Sequence, residues 1–324
     1  MKESVEKISF VIPCYKSKNT IEGVIDEIIH TMQALLYTYE IILVNDYPYD
    51  DTIFKLKELA KMYDFVKVVN LSKNFGQHAA IMAGLSKVSG DIIVCLDDDG
   101  QTPANEVGKL LEELDKGYDV VYARYAQKKH SLFRNFGSAV NDFMVRGLLK
   151  KPKDLYLSSY FAVRRYIVEE MLNYKNAYPY LIGLILRSTR NISNVDVNHR
   201  DREYGKSGYT LSSLLKLWMN GFTAFSVIPL RIATVLGFLV GILGFVGVLY
   251  VVINKLLHPE IAIGWSSTIS AVLIVGGMNL FMMGMVGEYI GRIYISINSS
   301  PQYVIKEVIY FDERTEQKDF RNAQ

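Results

Sequence analysis

Two long uncharged stretches near the carboxyl end constrain this chain more than any other feature. Ile232–Ile253 holds 22 residues without a charged side chain, and at ~1.5 Å each they extend about 33 Å as a helix. A hydrocarbon core of about 30 Å needs a helix of that length. A second uncharged run covers Ile261–Gly287, and the short link Asn254–Glu260 joins the two. The sequence therefore predicts two transmembrane helices within residues 228–290, arranged as a hairpin.

The charges that flank the predicted spans indicate which side of a membrane the rest of the chain occupies. Arg231 precedes the first span, and Arg292 and Lys306 follow the second, while the link carries Lys255. This excess of basic residues outside the link predicts that residues 1–210 and the tail 291–324 are cytosolic. We therefore expect a multi-pass protein of the plasma (inner) membrane, with its lipid bilayer as a partner.

Three further segments bear on the membrane part. Residues 211–227 mix Leu, Trp and Phe with Lys216, which is typical of an interfacial amphipathic helix and equally of an ordinary amphipathic core helix. Glycines recur at helix-packing spacings in the first span, so a homo-oligomer is compatible with the sequence. Tyr303–Phe311, in the tail, has the composition of a strand that pairs either within the chain or with a neighbour.

Composition excludes some classes of protein. A net charge of +2 over 324 residues argues against a nucleic-acid partner, which usually requires a basic face. The two cysteines, Cys14 and Cys95, both lie in apolar runs, so we expect free thiols and a reducing compartment. Met1–Lys7 is polar and lacks the apolar core of a signal peptide.

The amino-terminal part alternates β-rich runs with stretches of helical spacing. Strands are predicted at Ile8–Pro13, Glu40–Val44, Val66–Asn70, Asp91–Leu96 and Asp119–Ala123, and helices at Thr20–Leu36, Phe54–Met62, Gln77–Val88 and Asn105–Leu114. Such alternation predicts an α/β domain over residues 1–210, with a mostly parallel sheet and helices on both faces. Ligands bind these sheets at the carboxyl ends of the strands.

A cluster of carboxylates lies at one predicted strand end. Asp97, Asp98 and Asp99 follow the strand Asp91–Leu96, and their mutual repulsion is unfavourable unless a cation or hydrogen-bond donors neutralise it. Asp97 and Asp99 are spaced to reach one divalent ion, and Gln101 adds a carbonyl oxygen. Oxygen ligands favour Mg²⁺ or Mn²⁺, which commonly also hold substrate phosphates. A solvated acidic loop is the alternative.

Several motifs together resemble the family 2 inverting glycosyltransferases, and within them the polyprenyl-phosphate branch. They are Val11–Tyr15, Asn74–Gln77, Ala83–Leu85, Ser89–Asp91, Asp97–Pro103, Leu157–Phe161, Arg164–Arg165, Arg202–Tyr209 and Gly287–Arg292. The resemblance implies a GT-A-type nucleotide-sugar domain. It also implies metal-binding roles for Asp97, Asp99 and Gln101, and donor contacts at Pro13, Tyr15, Asp46, Asp97 and Asp98.

The resemblance also implies an acceptor side. Arg124, Arg134 and Arg202 match arginines that such enzymes place near the acceptor, and Ser207 belongs to a phosphate-cradling pattern. A guanidinium suits a lipid phosphate because its planar fork of donors matches phosphate oxygens and stays charged. With Asp99 and Arg202, Asp154 completes the candidate catalytic set, as a base or an orienting group.

The implied reaction moves a sugar to undecaprenyl or another polyprenyl phosphate with inversion at the anomeric carbon. UDP-glucose is the first candidate donor, and other UDP-, GDP- or dTDP-sugars stay open. A phosphate monoester has a second pKa near ~6, so the acceptor needs no strong base. Departures from the family pattern fall at Lys16–Ser17, Tyr47–Pro48 and Gly208, and the first two put the identity of the donor in question.

Three other readings remain open on the sequence alone. A processive polysaccharide synthase usually carries a Gln-x-x-Arg-Trp motif, yet neither Trp218 nor Trp265 follows an arginine. A non-catalytic membrane scaffold with a degenerate fold is supported by the altered Asn45–Pro48 turn alone. A small transporter or channel subunit would not need the cluster at Asp97–Gln101.

Overall fold

The computed structural model describes residues 6–125, 152, 154–198, 228–258, 264–298 and 300–310. The chain divides into two compact units. The first combines residues 1–210 with residues 299–324, and the second comprises residues 211–298. The segment after the predicted membrane hairpin therefore belongs to the same unit as the amino-terminal domain.

An eight-stranded sheet is the centre of the first unit. Its strands are β1 (Lys7–Cys14), β2 (Thr38–Asn45), β3 (Val66–Leu71), β4 (Ile92–Cys95), β5 (Val120–Tyr125), β6 (Phe161–Arg164), β7 (Ile192–Val197) and β8 (Ile305–Tyr310). They lie in the order β7-β5-β6-β4-β1-β2-β3-β8. All run in one direction except β6 and β8, which are antiparallel to their neighbours. The predicted mostly parallel sheet is confirmed.

Helices cover both faces of this sheet, as predicted. They are α1 (Ile21–Leu35), α2 (Thr52–Met62), α3 (Gln77–Leu85), α4 (Val107–Asp115), α5 (Arg165–Leu172) and α6 (Leu181–Ser188). Apolar residues of α1, α2 and α4 share one buried hydrophobic cluster with Phe10 and Ile12 on one face. On the other face α3 lies so close that a Cβ on Gly84 would approach Val11 Cγ1 to 2.5 Å. Central strands buried on both faces explain the continuous apolar runs in the sequence.

The carboxyl ends of the parallel strands meet at one edge of the sheet. Cys14, the last residue of β1, is paired with Asn45, the last residue of β2, and Asn45 is paired with Asn70. The loop that follows β4 begins at Leu96, whose N–H donates to Val11 O at 3.3 Å. This edge therefore brings together residues that lie far apart in the sequence.

The second unit contains two long helices, α7 (Ile228–Leu257) and α8 (Trp265–Ile297). Ala233–Asn254 has a mean hydropathy of 2.7, and none of its most apolar 18-residue stretch is buried in the structure. By length and composition α7 therefore suits a membrane crossing, and it is the one such helix within the described ranges. The helices pack closely, since a Cβ on Gly237 would lie 2.8 Å from Met282 Cε. The second span predicted from the sequence, and the interfacial segment 211–227, stay predictions, and the latter lies outside the described residues.

Candidate active site

Asp97, just beyond β4, is held by two side chains before any ligand binds. Gln77 Nε2, at the start of α3, donates to Asp97 Oδ1 at 2.8 Å, and Ser159 Oγ, ahead of β6, donates to Oδ2 at 2.5 Å. Charge-assisted hydrogen bonds of this kind fix the orientation of a carboxylate. Gln77 and Ser159 are site residues that the sequence analysis placed in motifs without giving them a role.

Asp98 is directed towards the loop between β1 and α1. Its carboxylate accepts the Tyr15 backbone N–H at 3.0 Å and the Ser17 hydroxyl. Burial raises the pKa of Asp98, while the bonds from Ser17 and Tyr15 oppose that rise and the charge of Asp99 adds to it. The family resemblance implies a donor contact for Asp98. In the structure, the Asp98 carboxylate stabilises the loop that carries Tyr15.

Asp99 and Gln101 lie in a tight turn around Gly100. Gly100 has a φ of 73°, in the left-handed region that favours glycine, and the Gln101 N–H donates to Asp99 Oδ1 at 3.1 Å. Asp97, Asp99 and Gln101 are all half-buried. Within the described ranges no group of three or more His, Cys, Asp or Glu side chains is arranged to hold a metal. Two carboxylates and an amide oxygen nevertheless fit a Mg²⁺ or Mn²⁺ site that substrate phosphates complete.

Asp46, the first residue beyond β2, is buried and connects two loops of the edge. Its Oδ1 accepts the Phe75 N–H at 2.8 Å and its Oδ2 accepts the Gly76 N–H at 2.9 Å. Burial raises the pKa of Asp46 to about 6, although both hydrogen bonds oppose that rise. Asp46 thus fixes the loop that leads into α3, next to Gln77, and its predicted contact with a nucleotide base stays a prediction.

Three tyrosines form an aromatic cluster on the β1 and β2 side of the edge. The Tyr15 and Tyr47 ring centroids are 5.1 Å apart, and those of Tyr47 and Tyr49 are 5.7 Å apart. Lys16 Nζ lies 5.4 Å from the Tyr15 ring centroid and 5.2 Å from that of Tyr47. Tyr15 is 47% exposed. Exposed rings and a cation beside a carboxylate-lined edge suit a planar base and a diphosphate.

His78 lies directly after Gln77 but takes a different environment. Its ring contacts Tyr180 edge-on with centroids 5.5 Å apart, and its buried Nδ1 has no hydrogen-bond partner among the described residues. Burial lowers the pKa of His78 to about 4, so the imidazole is neutral at physiological pH. These contacts favour a structural role.

The residues predicted for the acceptor side are only partly described. Arg124, at the end of β5, forms a two-pronged ion pair with Asp196, from Nε at 2.6 Å and from Nη2 at 3.0 Å. Asp154 is exposed. The remaining predicted residues, Arg134, Arg202 and Ser207, lie outside the described part of the chain.

Comparison with known proteins agrees with this geometry. Residues 9–172 match the model of glycosyl transferase family 2, and residues 228–293 match the model of the GtrB C-terminal hairpin. The chain belongs to glycosyl transferase family 2. The resemblance to the polyprenyl-phosphate branch of this family, first inferred from motifs, is confirmed by the relatives that the chain matches.

Those relatives match over nearly the whole length. The chain is 34% identical over 322 residues to the undecaprenyl-phosphate 4-deoxy-4-formamido-L-arabinose transferases of Yersinia pestis (strain Pestoides F) and Yersinia pseudotuberculosis serotype O:3 (strain YPIII). Each match covers 98% of this chain and 98% of the relative.

Solved structures with the same fold include glucosyl-3-phosphoglycerate synthase from Mycobacterium tuberculosis. Its complex with phosphoglyceric acid has a TM-score of 0.52 at 19% identity, covering 66% of this chain and 78% of that one. A complex of the same enzyme with Mn²⁺, UDP and phosphoglyceric acid has a TM-score of 0.51 at 22% identity, covering 66% of this chain and 75% of that one. The predicted GT-A-type domain is thus confirmed as a fold.

Proposed function

We propose that this chain transfers a sugar from a nucleoside diphosphate sugar to undecaprenyl phosphate at the cytosolic face of the plasma membrane. The observation that carries the proposal is the acidic edge at Asp97–Gln101. There a carboxylate preset by Gln77 and Ser159 faces the same strand ends as the aromatic cluster. Full-length relatives that act on undecaprenyl phosphate support the acceptor.

The donor is proposed as a UDP-sugar. The relatives favour 4-deoxy-4-formamido-L-arabinose over glucose as the transferred sugar, because they match the chain end to end. On the donor side Tyr15 and Tyr47 offer ring faces for the base, and Lys16 offers a positive charge near the diphosphate.

The proposed reaction requires little proton transfer by residues of the protein. An oxygen of the acceptor phosphate, already anionic near neutral pH, forms a bond to the anomeric carbon while the bond from that carbon to the donor diphosphate breaks. No proton has to be removed, so the exposed Asp154 is not required as a base. A divalent ion held by Asp97, Asp99 and Gln101 would supply charge neutralisation for the diphosphate. Binding and orientation of both substrates are then the main contribution of the residues.

The sheet supports the proposal of a membrane hairpin with both ends in the cytosol. β8 comes after α8 in the chain and pairs with β3 in the same sheet as the other strands. This pairing favours an arrangement in which both ends of the helix pair lie on one side of the membrane. In this proposal α7 crosses the bilayer and α8 crosses back, and the flanking basic residues favour the cytosol for both ends.

The test is a transfer assay with the purified full-length chain in detergent. Undecaprenyl phosphate is mixed with labelled UDP-4-deoxy-4-formamido-L-arabinose or UDP-glucose and with Mn²⁺ or Mg²⁺. We expect label to enter the lipid phase with the first donor and the signal to disappear with a chelator. Asp99→Asn should lower kcat by about 100-fold or more, as expected when charge stabilisation of a leaving group is lost.

Asp64→Asn is the matched control, because Asp64 is an exposed aspartate between α2 and β3. It should retain wild-type turnover. Wild-type turnover in Asp99→Asn would refute the metal-binding role. Nucleotide binding without a lipid product from any donor would refute the acceptor. Absence of any nucleotide binding would favour the scaffold reading instead.

A further inference from the structure

A row of polar side chains crosses three strands behind the donor side. Asn45 on β2, Asn70 on β3 and Glu307 on β8 are register partners across the sheet. Asn45 Nδ2 donates to Asn70 Oδ1 at 2.9 Å, and Asn70 Nδ2 donates to Glu307 Oε1 at 2.9 Å. The same Glu307 oxygen lies 3.1 Å from Lys57 Nζ. Asn45 and Asn70 are both buried, whereas the Glu307 side chain is 38% exposed, so the two amides are the part of the row that is sheltered from water.

The carboxylate of Glu307 sets the direction of the whole row. An ionised carboxylate only accepts hydrogen bonds, whereas an amide both donates and accepts. Asn70 must therefore present its NH₂ group to Glu307 and its oxygen to Asn45. Asn45 in turn must present its NH₂ group to Asn70, which turns its own oxygen away. That oxygen is buried and has no hydrogen-bond partner in the described part of the chain.

Without Glu307, either orientation of the two amides leaves one buried polar group of Asn45 without a partner, at about 1–3 kcal/mol, so nothing would fix the direction of the row. Glu307 thus selects one of two orientations that the amides alone would not distinguish. The Asn45 end of the row is connected to the candidate site. Asn45 directly precedes Asp46, whose carboxylate accepts the N–H groups of Phe75 and Gly76. The next residue, Gln77, holds Asp97.

The segment around Glu307 is anchored to the first unit at further points. Ser72 N–H donates to Val304 O at 2.9 Å, and Gln302 Nε2 donates to Tyr174 O at 2.5 Å. Gln302 is buried. These two contacts hold the segment just before β8, and the pairing of β8 with β3 holds Glu307 itself.

We propose that Glu307 is a positioning residue of the donor site: it fixes the orientation of Asn70 and Asn45, and through them the turn that carries Asp46. In this proposal β8 contributes to nucleotide binding through the row, although it contacts no substrate. This inference rests on the proposed function for its ligand, a nucleoside diphosphate, and not on the identity of the sugar or of the acceptor.

The decisive variant is Glu307→Gln, which keeps the shape but can donate as well as accept, so the row loses its fixed direction. Lys57→Met is the matched control. Both variants remove the Lys57–Glu307 ion pair, yet only the first frees the amides. The measurement is the Kd of the full-length chain in detergent for UDP with Mn²⁺, together with the KM values for donor and acceptor.

We expect Glu307→Gln to weaken UDP binding and raise the donor KM by about 3- to 10-fold, the effect of one misplaced hydrogen bond. Its kcat and its acceptor KM should stay within about twofold of wild type. The variant weakens binding of the donor equally in the ground state and the transition state, and such a loss raises only the donor KM. Lys57→Met should bind UDP like wild type. Thermal unfolding of both variants shows that each is folded.

An equal Kd for UDP in Glu307→Gln and wild type would overturn the positioning role, as would an equal loss in Lys57→Met. A lower unfolding temperature with unchanged donor binding would leave Glu307 as a structural residue alone. If wild type itself bound no nucleotide, the proposed function would fail. If it bound UDP without transferring sugar, the comparison of Kd values would still decide the role of Glu307.

Discussion

Two buried titratable groups of the candidate site should give the stability of this protein an unusual dependence on pH. Burial raises the pKa of Asp46 from 3.8 to about 6, and burial lowers the pKa of His78 from 6.5 to about 4. Both shifts disfavour the charged form, but one charge is negative and the other positive. The two groups therefore act in opposite directions over the same pH range.

The signs follow from proton binding. Folded Asp46 binds its proton more tightly than unfolded Asp46, so its contribution is fully present below the unfolded pKa and is lost as pH rises through about 6. Folded His78 resists protonation, so its contribution is present above 6.5 and is lost as pH falls through about 4. Between about pH 5 and pH 7.5, Asp46 removes about 1.4 kcal/mol of stability and His78 adds about 2 kcal/mol.

The contributions of Asp46 and His78 should therefore largely cancel between these pH values in the wild-type protein, and single variants should expose each of them. Asp46→Asn should gain about 2 kcal/mol from low to high pH, or about 4–8 °C in Tm for a unit of this size. His78→Phe, which keeps a ring against Tyr180, should instead lose about 1.4 kcal/mol, or about 3–6 °C.

The assay is thermal unfolding of the full-length chain in detergent at the two pH values, with wild type and both variants measured side by side. The comparison between chains cancels every other titrating group that they share. Parallel pH profiles for all three proteins would refute the reasoning, as would a shift of Asp46→Asn towards lower stability at high pH.

Three further predictions concern single side chains. Glu40→Gln should lower the free energy of unfolding by about 2–4 kcal/mol, measured with denaturant, because buried Glu40 accepts a hydrogen bond from Lys67 Nζ at 2.7 Å. Its kcat should be unchanged, since Glu40 lies at the end of the sheet remote from the site. A lower kcat with normal stability would contradict this. Gly84→Ala should lower Tm and protein yield, since its Cβ would meet Val11 Cγ1 at 2.5 Å; an unchanged Tm would show that α3 moves freely. Lys16→Gln should weaken UDP binding by about threefold at low salt and less at high salt, as measured by titration; an equal effect at both salt concentrations would argue against a charge contribution.

Much of the fold could be predicted because its pattern is local. Apolar runs of β-branched residues alternate with helical spacing, and every strand predicted between Ile8 and Ala123 is present within a few residues. The position of the acidic edge followed from the rule that ligands bind at the carboxyl ends of parallel strands. Asp97–Asp99 lies there, after β4.

The contacts that preset the site could not be predicted, because they join distant positions. Asp97 is held by Gln77 and Ser159, 20 and 62 positions away. The use of both Asp46 oxygens by backbone N–H groups has no sequence signature, since any loop offers such donors. The pairing of β8 with β3 joins Asn70 to Glu307, 237 positions apart, and a strand pattern alone does not name its partner.

The placement of β8 also governs the order in which the enzyme can assemble. β3 is translated early, but the strand that covers its outer edge is translated only after both long helices of the second unit. Until then β3 presents unpaired N–H and C=O groups, the surface on which strands from other chains add. Synthesis of both long helices thus precedes completion of the sheet. A chain truncated after α8 would retain the acidic edge yet leave β3 open to self-association.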